Sequence, residues 1–438
     1  MADETLDPRR TALVFFDMLK RYDYGPDLKT LLPQAREQVE ACARLMTGAR
    51  EAGVPVFYAC GDHRPDGRDL ATAIADNDLG RTGDRHGPDP ASQAVIDELK
   101  PQPGDYVIRK HRWSMFVQTE LELSLRARDI DTILLAGGST EVGIASSAYS
   151  ARDLDFNTIL VKECLRSGRG QHISDFFVDR VAGGIARVRS LDQVIQMLHP
   201  GAAPAIATAS GRQAGPEAGG STQDRGAAAA DPPIDPRQTA LLFFDTLKGG
   251  NYDRETRSLR PENRAFMESC VRMLEAARRI GLPVFYAQAA HREDGADWAS
   301  ALTDRIARPR AETFGRSRIH PGSHHASWEA EIVDELTPQP GDYRVHKHRY
   351  SAFHGTHLEL SLRTAGVSNV LLAGGATQAG IASTAYAGRD RDFNMVLLRD
   401  AIRTGDADIQ DYFMTHVFPR LGRVRTVEET IALIQGAR

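Results

Sequence analysis

The sequence has few cysteines, no excess of basic residues and no long apolar run, and each shortage excludes a class of protein. Only 4 of the 438 residues are cysteines, and their spacing fits neither CxxC nor a zinc finger, which argues against a disulfide framework. The formal net charge of −5 and the lack of a long basic run give no electrostatic case for nucleic-acid binding. No apolar stretch approaches the roughly 20 residues that cross a bilayer, and the acidic, polar start is unlike a secretory signal. We therefore expect a cytoplasmic protein that binds neither nucleic acid nor membrane.

What the sequence does contain is a duplication. The stretch GDYVIRKHRWSMF, which begins at Gly104, returns as GDYRVHKHRYSAF at Gly341. Three positions recur with it: Asp17, Lys110 and Gly143 in the first half, and Asp245, Lys347 and Gly380 in the second. A period of about half the chain indicates two copies of one domain and not a solenoid. The length agrees, because 438 residues are too many for one ordinary core.

The two copies are separated by a segment rich in Ala, Gly, Pro and Ser that starts at Pro200. It has almost no large apolar residue, so it cannot bury a core and is typical of a linker. We predict a first domain at 1–198, a flexible linker at 199–232 and a second domain at 233–438. The linker is long enough for the halves to pack side by side. We therefore expect an internal pseudo-dimer that can assemble further into homo-oligomers.

Short apolar runs alternate with amphipathic segments in each half. In the first half the runs ALVFFD, VPVFYA, YVIRK, TILLAG and TILVKE are typical of buried strands, and the stretch that begins LLPQAREQ has helical periodicity up to Gly53. This alternation predicts the α/β class, with two doubly wound, mostly parallel sheets of the three-layer Rossmann type. Ligands bind such sheets at the carboxyl ends of the strands. The recurring Asp, Lys and Gly all close or follow strands, so we expect them to meet at that edge.

Each recurring residue has an ordinary structural explanation when it is taken alone. An aspartate after a strand can shape a turn, a lysine there can be solvated, and a glycine can allow close packing of a strand-to-helix turn. The halves nevertheless keep the Asp and the Lys while neighbouring positions differ, as Arg109 does from His346. This comparison favours a shared Asp–Lys site over two coincidences. The GGST and GGAT turns also place backbone N–H groups at a helix start, where an anion or oxyanion could bind.

Both halves resemble the isochorismatase-like superfamily, often called cysteine hydrolases. KHRYSAF at Lys347–Phe353 matches the pattern K-x-R-[YW]-S-x-F, between a strand that ends in Asp and a strand–G-x-x-T–helix unit. The resemblance covers nearly all of each half and implies an Asp–Lys–Cys triad. Asp17 and Lys110 would serve the first half, and Asp245 and Lys347 the second. It also implies a set of substrate-binding side chains: Trp113, Phe116 and Thr140 in the first half, and Gln288, Tyr350, Phe353 and Thr377 in the second.

The third member of the triad is missing, because Gly143 and Gly380 stand where the family's nucleophilic cysteine would. Hydrolysis of an amide through a thioester needs a thiolate, whereas a glycine slot can hold a water and leaves acid–base and electrostatic catalysis. True isochorismatases are similar in having glycine here; they cleave an enol ether by protonating its vinyl carbon. We therefore expect a thiol-independent hydrolase of a small polar or anionic substrate. Its acids would be Asp17 and Asp245, and its lysines would bind an anion or tune the carboxyl groups.

Other positions depart from the isochorismatase pattern. Cys60 stands where the second half has Gln288, so a thiol role shared by both halves fails, and we expect Cys60 to be a buried small hydrophobe. Neither half has the aspartate–phenylalanine–tryptophan–glycine stretch of isochorismatases after the second strand. Isochorismate itself is therefore not the expected substrate.

We expect no cofactor and no metal. The related nicotinamidases use an Asp-x-His zinc site, and Asp62-His63 has a different spacing. The second half has a histidine-rich loop with His320, His324 and His325, whereas its counterpart in the first half has only His86. Because the histidines are not repeated, we interpret this loop as a solvated segment and not as a metal site.

Two alternatives to enol-ether cleavage stay open. One is C–N hydrolysis, of an amide or carbamoyl group, by a water that the same aspartate activates. The other is a non-catalytic or half-catalytic protein that binds a small molecule. Retention of Asp and Lys in both halves favours catalysis. Differences such as Met115 against Ala352 and Val117 against His354 predict that the two pockets differ in shape.

Overall fold

The computed structural model describes residues 5–79, 88–200, 231–292, 294–305 and 327–437. These residues form two compact units. The first consists of residues 5–70, 88–200 and 301–305, and the second of residues 71–79, 231–292, 294–300 and 327–437. Residues 201–230 of the predicted linker lie outside the described residues.

The first unit is built on a six-stranded, all-parallel sheet with the order β3–β2–β1–β4–β5–β6. Its strands are β1 Thr11–Phe16, β2 Val56–Gly61, β3 Tyr106–Lys110, β4 Thr132–Gly138, β5 Asn157–Arg166 and β6 Arg187–Arg189. Its α-helices are α1 Lys20–Asp23, α2 Arg36–Glu51, α3 Leu121–Arg126, α4 Ala145–Asp153, α5 Gln171–Phe176 and α6 Leu191–Leu198.

The second unit repeats this architecture, with the strand order β9–β8–β7–β10–β11–β12 and parallel pairing throughout. Its strands are β7 Thr239–Phe244, β8 Val284–Ala289, β9 Tyr343–Lys347, β10 Asn369–Gly375, β11 Asn394–Arg403 and β12 Gly422–Arg425. Its α-helices are α7 Lys248–Asn251, α8 Arg264–Ile280, α9 Leu358–Thr364, α10 Ala382–Arg389, α11 Ala407–Tyr412, α12 Phe418–Leu421 and α13 Val427–Gln435.

Burial explains why β1 and β7 are continuous apolar runs. Each strand lies at the centre of its sheet, between two partners, and every residue in it is buried. A strand covered on both faces has no polar side and so does not alternate. The five strands predicted in the first half are confirmed. The edge strand Arg187–Arg189 was missed because three residues are too few to show a pattern.

The order of the strands determines what meets at the carboxyl edge. β2 lies between β1 and β3, with Gly61 in register with Lys110. A lysine at the end of β3 must therefore reach across the end of β2 to meet a group that follows β1. None of the described helices combines the length and the apolar character that a membrane span requires.

Candidate active site

The aspartate that follows the first strand of each unit turns the chain sharply. Asp17 has φ = 49° and Asp245 has φ = 46°, a left-handed conformation that aspartate tolerates better than most residues. The carboxylate then lies against the end of the neighbouring strand. Its Oδ1 accepts the backbone N–H of Gly61 at 2.7 Å in the first unit and that of Ala289 at 2.9 Å in the second.

The lysine that ends the third strand completes the arrangement. Nζ of Lys110 donates to Oδ2 of Asp17 at 2.8 Å, and Nζ of Lys347 donates to Oδ2 of Asp245 at 2.8 Å. Both lysine side chains are 5% exposed, whereas Asp17 is 11% and Asp245 is 24% exposed. The structure thus brings together the Asp and Lys of each half, as the sequence predicts. Their catalytic role stays a prediction.

This buried pair makes a prediction about stability. We expect Lys110→Met to lower the free energy of unfolding by about 3–5 kcal/mol, because it leaves the Asp17 carboxylate buried without its counter-charge. Urea denaturation of wild type and variant measures the effect. The double variant Lys110→Met with Asp17→Asn removes both charges and should recover most of the loss. A single variant as stable as wild type would contradict the pairing.

The space beside the glycine of each unit is not open. A side chain begun at Gly143 would place its first carbon 2.1 Å from Cε1 of Phe16, and one begun at Gly380 would come within 2.0 Å of Cε1 of Phe244. The ring also lies under the ammonium group, with Nζ of Lys110 4.1 Å from the Phe16 centroid. The prediction that this slot holds a water is therefore wrong in both units, because a phenylalanine ring fills it.

The turn after the fourth strand uses its own N–H groups. Residues Thr140–Ile144 form a π-helical turn, in which the N–H groups of Val142 and Ile144 both donate to the carbonyl oxygen of Ser139. The second unit repeats these bonds from Ala379 and Ile381 to Ala376. These N–H groups are thus already satisfied, which removes them from the predicted oxyanion site.

Several predicted substrate-binding side chains have other partners. Phe116 stacks on Phe156 at 5.7 Å and Phe353 on Phe393 at 5.6 Å, in buried positions. The hydroxyl group of Thr140 bonds that of Ser174 at 2.7 Å. These contacts indicate packing roles for the two phenylalanines and for this threonine.

The remaining predicted residues lie at different depths. Thr377 is buried and donates to Oε1 of Gln410 at 2.6 Å. Gln288 is buried, and its amide nitrogen donates to the carbonyl oxygen of Ala330 at 3.3 Å. Trp113 and Tyr350 follow the third strand of their units and are partly exposed.

A cavity of about 290 Å³ adjoins the Asp–Lys pair of the second unit. Its walls come from the carboxyl edge of the sheet and from α7: Asp245, Leu247, Gly250, Asn251, Phe266, Ala289, Glu329, Gly375, Ala376, Arg403, Thr404 and Gly405. Of the residues that the sequence singled out, Asp245 belongs to this lining, and so do Gly375 and Ala376 of the GGAT turn. Gln288, Tyr350, Phe353 and Thr377 do not.

Four charged or polar members of this lining were not predicted from the sequence: Asn251, Glu329, Arg403 and Thr404. A signal was available in the repeat itself. α1 reads KRYD where α7 reads KGGN, so an acidic residue in one copy is neutral in the other. A position that is charged in one repeat and neutral in the other can mark a functional site, just as a residue that both repeats keep can.

Each unit also carries two histidines around one aspartate beside the lysine. In the second unit Nδ1 of His291 is 3.4 Å and Nε2 of His348 is 3.3 Å from the carboxylate of Asp297. Burial lowers the pKa of His291 to about 4. At neutral pH this imidazole is therefore uncharged.

The thiol nearest the first site is not a nucleophile. Burial, reinforced by the charge of Asp17, raises the pKa of Cys60 to about 12, so the thiolate is scarce at neutral pH. All four cysteines are free and buried. Among the described residues, no group of three or more His, Cys, Asp or Glu is placed to hold a metal ion. His86, His320, His324 and His325 lie outside those residues.

Comparison with known proteins agrees with this architecture. The isochorismatase domain family matches residues 11–193 and again residues 239–429. The chain is 32% identical over 202 residues to the isochorismatase family protein YwoC of Bacillus subtilis, covering 46% of this chain and 97% of that protein. It is 30% identical over 190 residues to the ureidoacrylate amidohydrolase RutB of Caulobacter vibrioides, covering 40% and 81%.

A solved cysteine hydrolase from Pseudomonas syringae is 25% identical, covers 47% of this chain and 96% of its own, and has a TM-score of 0.41. The two family matches together span most of the 438 residues, and each coincides with one six-stranded parallel sheet. The chain therefore belongs to the isochorismatase family and carries two isochorismatase domains in tandem.

Proposed function

We propose that the second unit hydrolyses a small polar or anionic substrate without a thiol, with Asp245 as its acid–base group and Lys347 as the partner that holds it. One observation carries the proposal: Asp245 lines the 290 Å³ cavity while Lys347 and the N–H of Ala289 hold both its oxygens. A carboxylate fixed in this way keeps its position during proton transfer. Relatives such as RutB are named as hydrolases.

The attacking water comes from the cavity in this proposal, and not from the glycine slot. The Phe244 ring closes the space beside Gly380, so a substrate and a water must both approach Asp245 from the side of Gly375 and Ala376, which line the cavity. This replaces the mechanism that the sequence alone suggested.

The hydrogen bonds of Asp245 favour C–N hydrolysis over enol-ether cleavage. Both of its partners donate, so the carboxylate is an acceptor in this structure. An acceptor is what a general base needs to take a proton from water. Enol-ether cleavage needs a proton on the same carboxyl group before the reaction begins.

A panel of small amides, ureido compounds and enol ethers tests this proposal with the full chain. Turnover that falls as the pH drops marks the base role and amide-type hydrolysis, whereas turnover that rises at low pH marks the acid role. Pretreatment with iodoacetamide should leave activity unchanged, because the cysteines are buried. Loss of activity on alkylation would contradict a thiol-independent mechanism.

Binding without turnover is a second candidate, and the phenylalanine rings favour it. They occupy the place of the family's nucleophile in both units, as expected of a protein that still binds a ligand but no longer catalyses a reaction. Saturable binding of a panel compound, with no product after long incubation, would establish this candidate in place of the first.

A further inference from the structure

We propose that the cavity of the second unit is a subsite for a small carboxylate, which Arg403 recognises, and that the first unit lacks this subsite because its own side chains occupy it. The inference deepens the proposed function, since it concerns the same cavity. It rests on four positions at which the two units differ.

Arg403 ends β11 and lines the cavity. Its Nη2 donates to the carbonyl oxygen of Gly250 at 2.7 Å and to Oδ1 of Asn251 at 3.1 Å, and its guanidinium group lies 5.2 Å from the ring of Phe266. These partners are all neutral. Within the part of the chain that the structure describes, no carboxylate pairs with Arg403, and neither its Nε nor its Nη1 makes a hydrogen bond.

The equivalent arginine of the first unit is paired with a carboxylate. Arg166 ends β5; its Nη2 donates to Oδ1 of Asp23 at 2.5 Å, and its Nε donates to Oε1 of Gln38 at 2.9 Å. Asp23 is buried. In the second unit Asn251 takes the place of Asp23 in α7, which keeps an acceptor but removes its charge, and Phe266 takes the place of Gln38 in α8, which removes the other acceptor.

Among the described residues, Glu262 acts on Arg403 only as a nearby charge, and no carboxylate forms an ion pair with it, whereas Asp23 forms one with Arg166. The partly buried guanidinium group of Arg403 contacts only amide and aromatic groups. A bound anion would be stabilised by its positive charge and by hydrogen bonds from the N–H groups that have no acceptor. Because Nη2 already donates twice, a carboxylate oxygen would accept from Nε or from Nη1. At about 290 Å³ the cavity admits a small organic acid.

The entrance differs as well. In the first unit Nη2 of Arg21 donates to the carbonyl oxygen of Gly61 at 3.3 Å, and Nη1 donates to Oε1 of Gln93 at 3.4 Å. A methyl group built on Gly61 would lie 2.6 Å from this Nη2 and 3.3 Å from Oδ1 of Asp17. Arg21 thus fills the space next to the first Asp–Lys pair.

The second unit has glycine at the position of Arg21. Gly249 leaves this space to Glu329, since a side chain begun at Gly249 would meet Cβ of Glu329 at 2.7 Å. Glu329 itself lines the cavity. The first unit thus has the cationic Arg21 beside its Asp–Lys pair. The second unit has the acidic Glu329 in the wall of its cavity.

Calorimetric titration of the full chain with crotonate and benzoate, each against its neutral amide, tests the inference. We expect one carboxylate per chain and weaker binding of crotonamide and benzamide. Arg403→Met should weaken carboxylate binding about 10- to 100-fold, the usual loss of a hydrogen bond to a charged group. Asn251→Asp should produce a similar loss with the arginine still present, because it rebuilds the ion pair of the first unit.

The matched control is Asp23→Asn, which makes the corresponding exchange in the first unit and should leave carboxylate affinity unchanged. Asn251→Asp keeps the inference testable if Arg403→Met fails to fold. Equal affinity for acid and amide, unchanged affinity in Asn251→Asp, two carboxylates per chain, or no saturable binding of either carboxylate would each overturn it. Carboxylate binding without turnover of any substrate would instead remove the proposed hydrolysis and leave this inference standing.

Discussion

Asp245→Asn should lower turnover by about 10²- to 10⁴-fold, the range that a positioned acid–base group contributes. The N–H of Ala289 and Nζ of Lys347 now donate to the two carboxylate oxygens at 2.9 and 2.8 Å. Asparagine has one side-chain oxygen, so the variant should lose its proton-transfer group and keep only one of these two hydrogen bonds. Steady-state kinetics at saturating substrate measure the effect on kcat, and thermal unfolding checks that the variant is folded.

Asp17→Asn makes the same change in the first unit and should leave turnover close to wild type. Arg21 occupies space beside Asp17, so we expect a substrate to be hindered from reaching that carboxylate. Equal losses in the two variants would show that both units work. Full activity in Asp245→Asn would exclude the acid–base role of this residue.

Gly380→Cys should destabilise the protein instead of restoring the family's nucleophile. The first carbon of the new side chain would lie 2.0 Å from Cε1 and 2.1 Å from Cζ of Phe244, a distance at which the ring or the helix must move. Overpacking of this kind costs about 1–3 kcal/mol and sometimes more. Urea denaturation gives the difference in the free energy of unfolding.

The companion change Phe244→Val removes the ring and makes room for the thiol. We expect the double variant Gly380→Cys with Phe244→Val to be more stable than the sum of the single effects predicts, with a coupling of about 0.5–3 kcal/mol. Additive effects of the two changes would show that the ring and the glycine do not share one space.

Much of the fold could be read from the sequence because its pattern is local. Buried parallel strands such as ALVFFD are continuous apolar runs, and their alternation with amphipathic stretches leaves few topologies. The Asp–Lys pair was accessible too, because both residues close strands and strand ends of a parallel sheet meet at one edge. Family resemblance located the missing nucleophile at Gly143 and Gly380 in the same way.

The packing and the charge pairing of side chains in the site could not be predicted in this way. Phe16 and Phe244 fill the space beside the glycines because of the direction in which each ring leaves the end of its central strand. A glycine in the sequence does not indicate which side chain packs against it. The part played by Arg403 depends on Asn251 and Phe266, which are far from it along the chain. Such groups become neighbours only when the sheet and helices assemble.

By itself, the sequence determined that this chain is two copies of one α/β domain, each with an aspartate and a lysine at the carboxyl ends of its strands and no thiol between them. Periodicity and repetition suffice for this, since they record which residues are buried and which are kept. Only the tertiary structure showed how the two sites differ: Arg21 lies beside the Asp–Lys pair of the first unit, and Arg403 lines a cavity in the second. The physical reason is that space and charge compensation belong to the assembled packing of side chains, which no single stretch of sequence specifies.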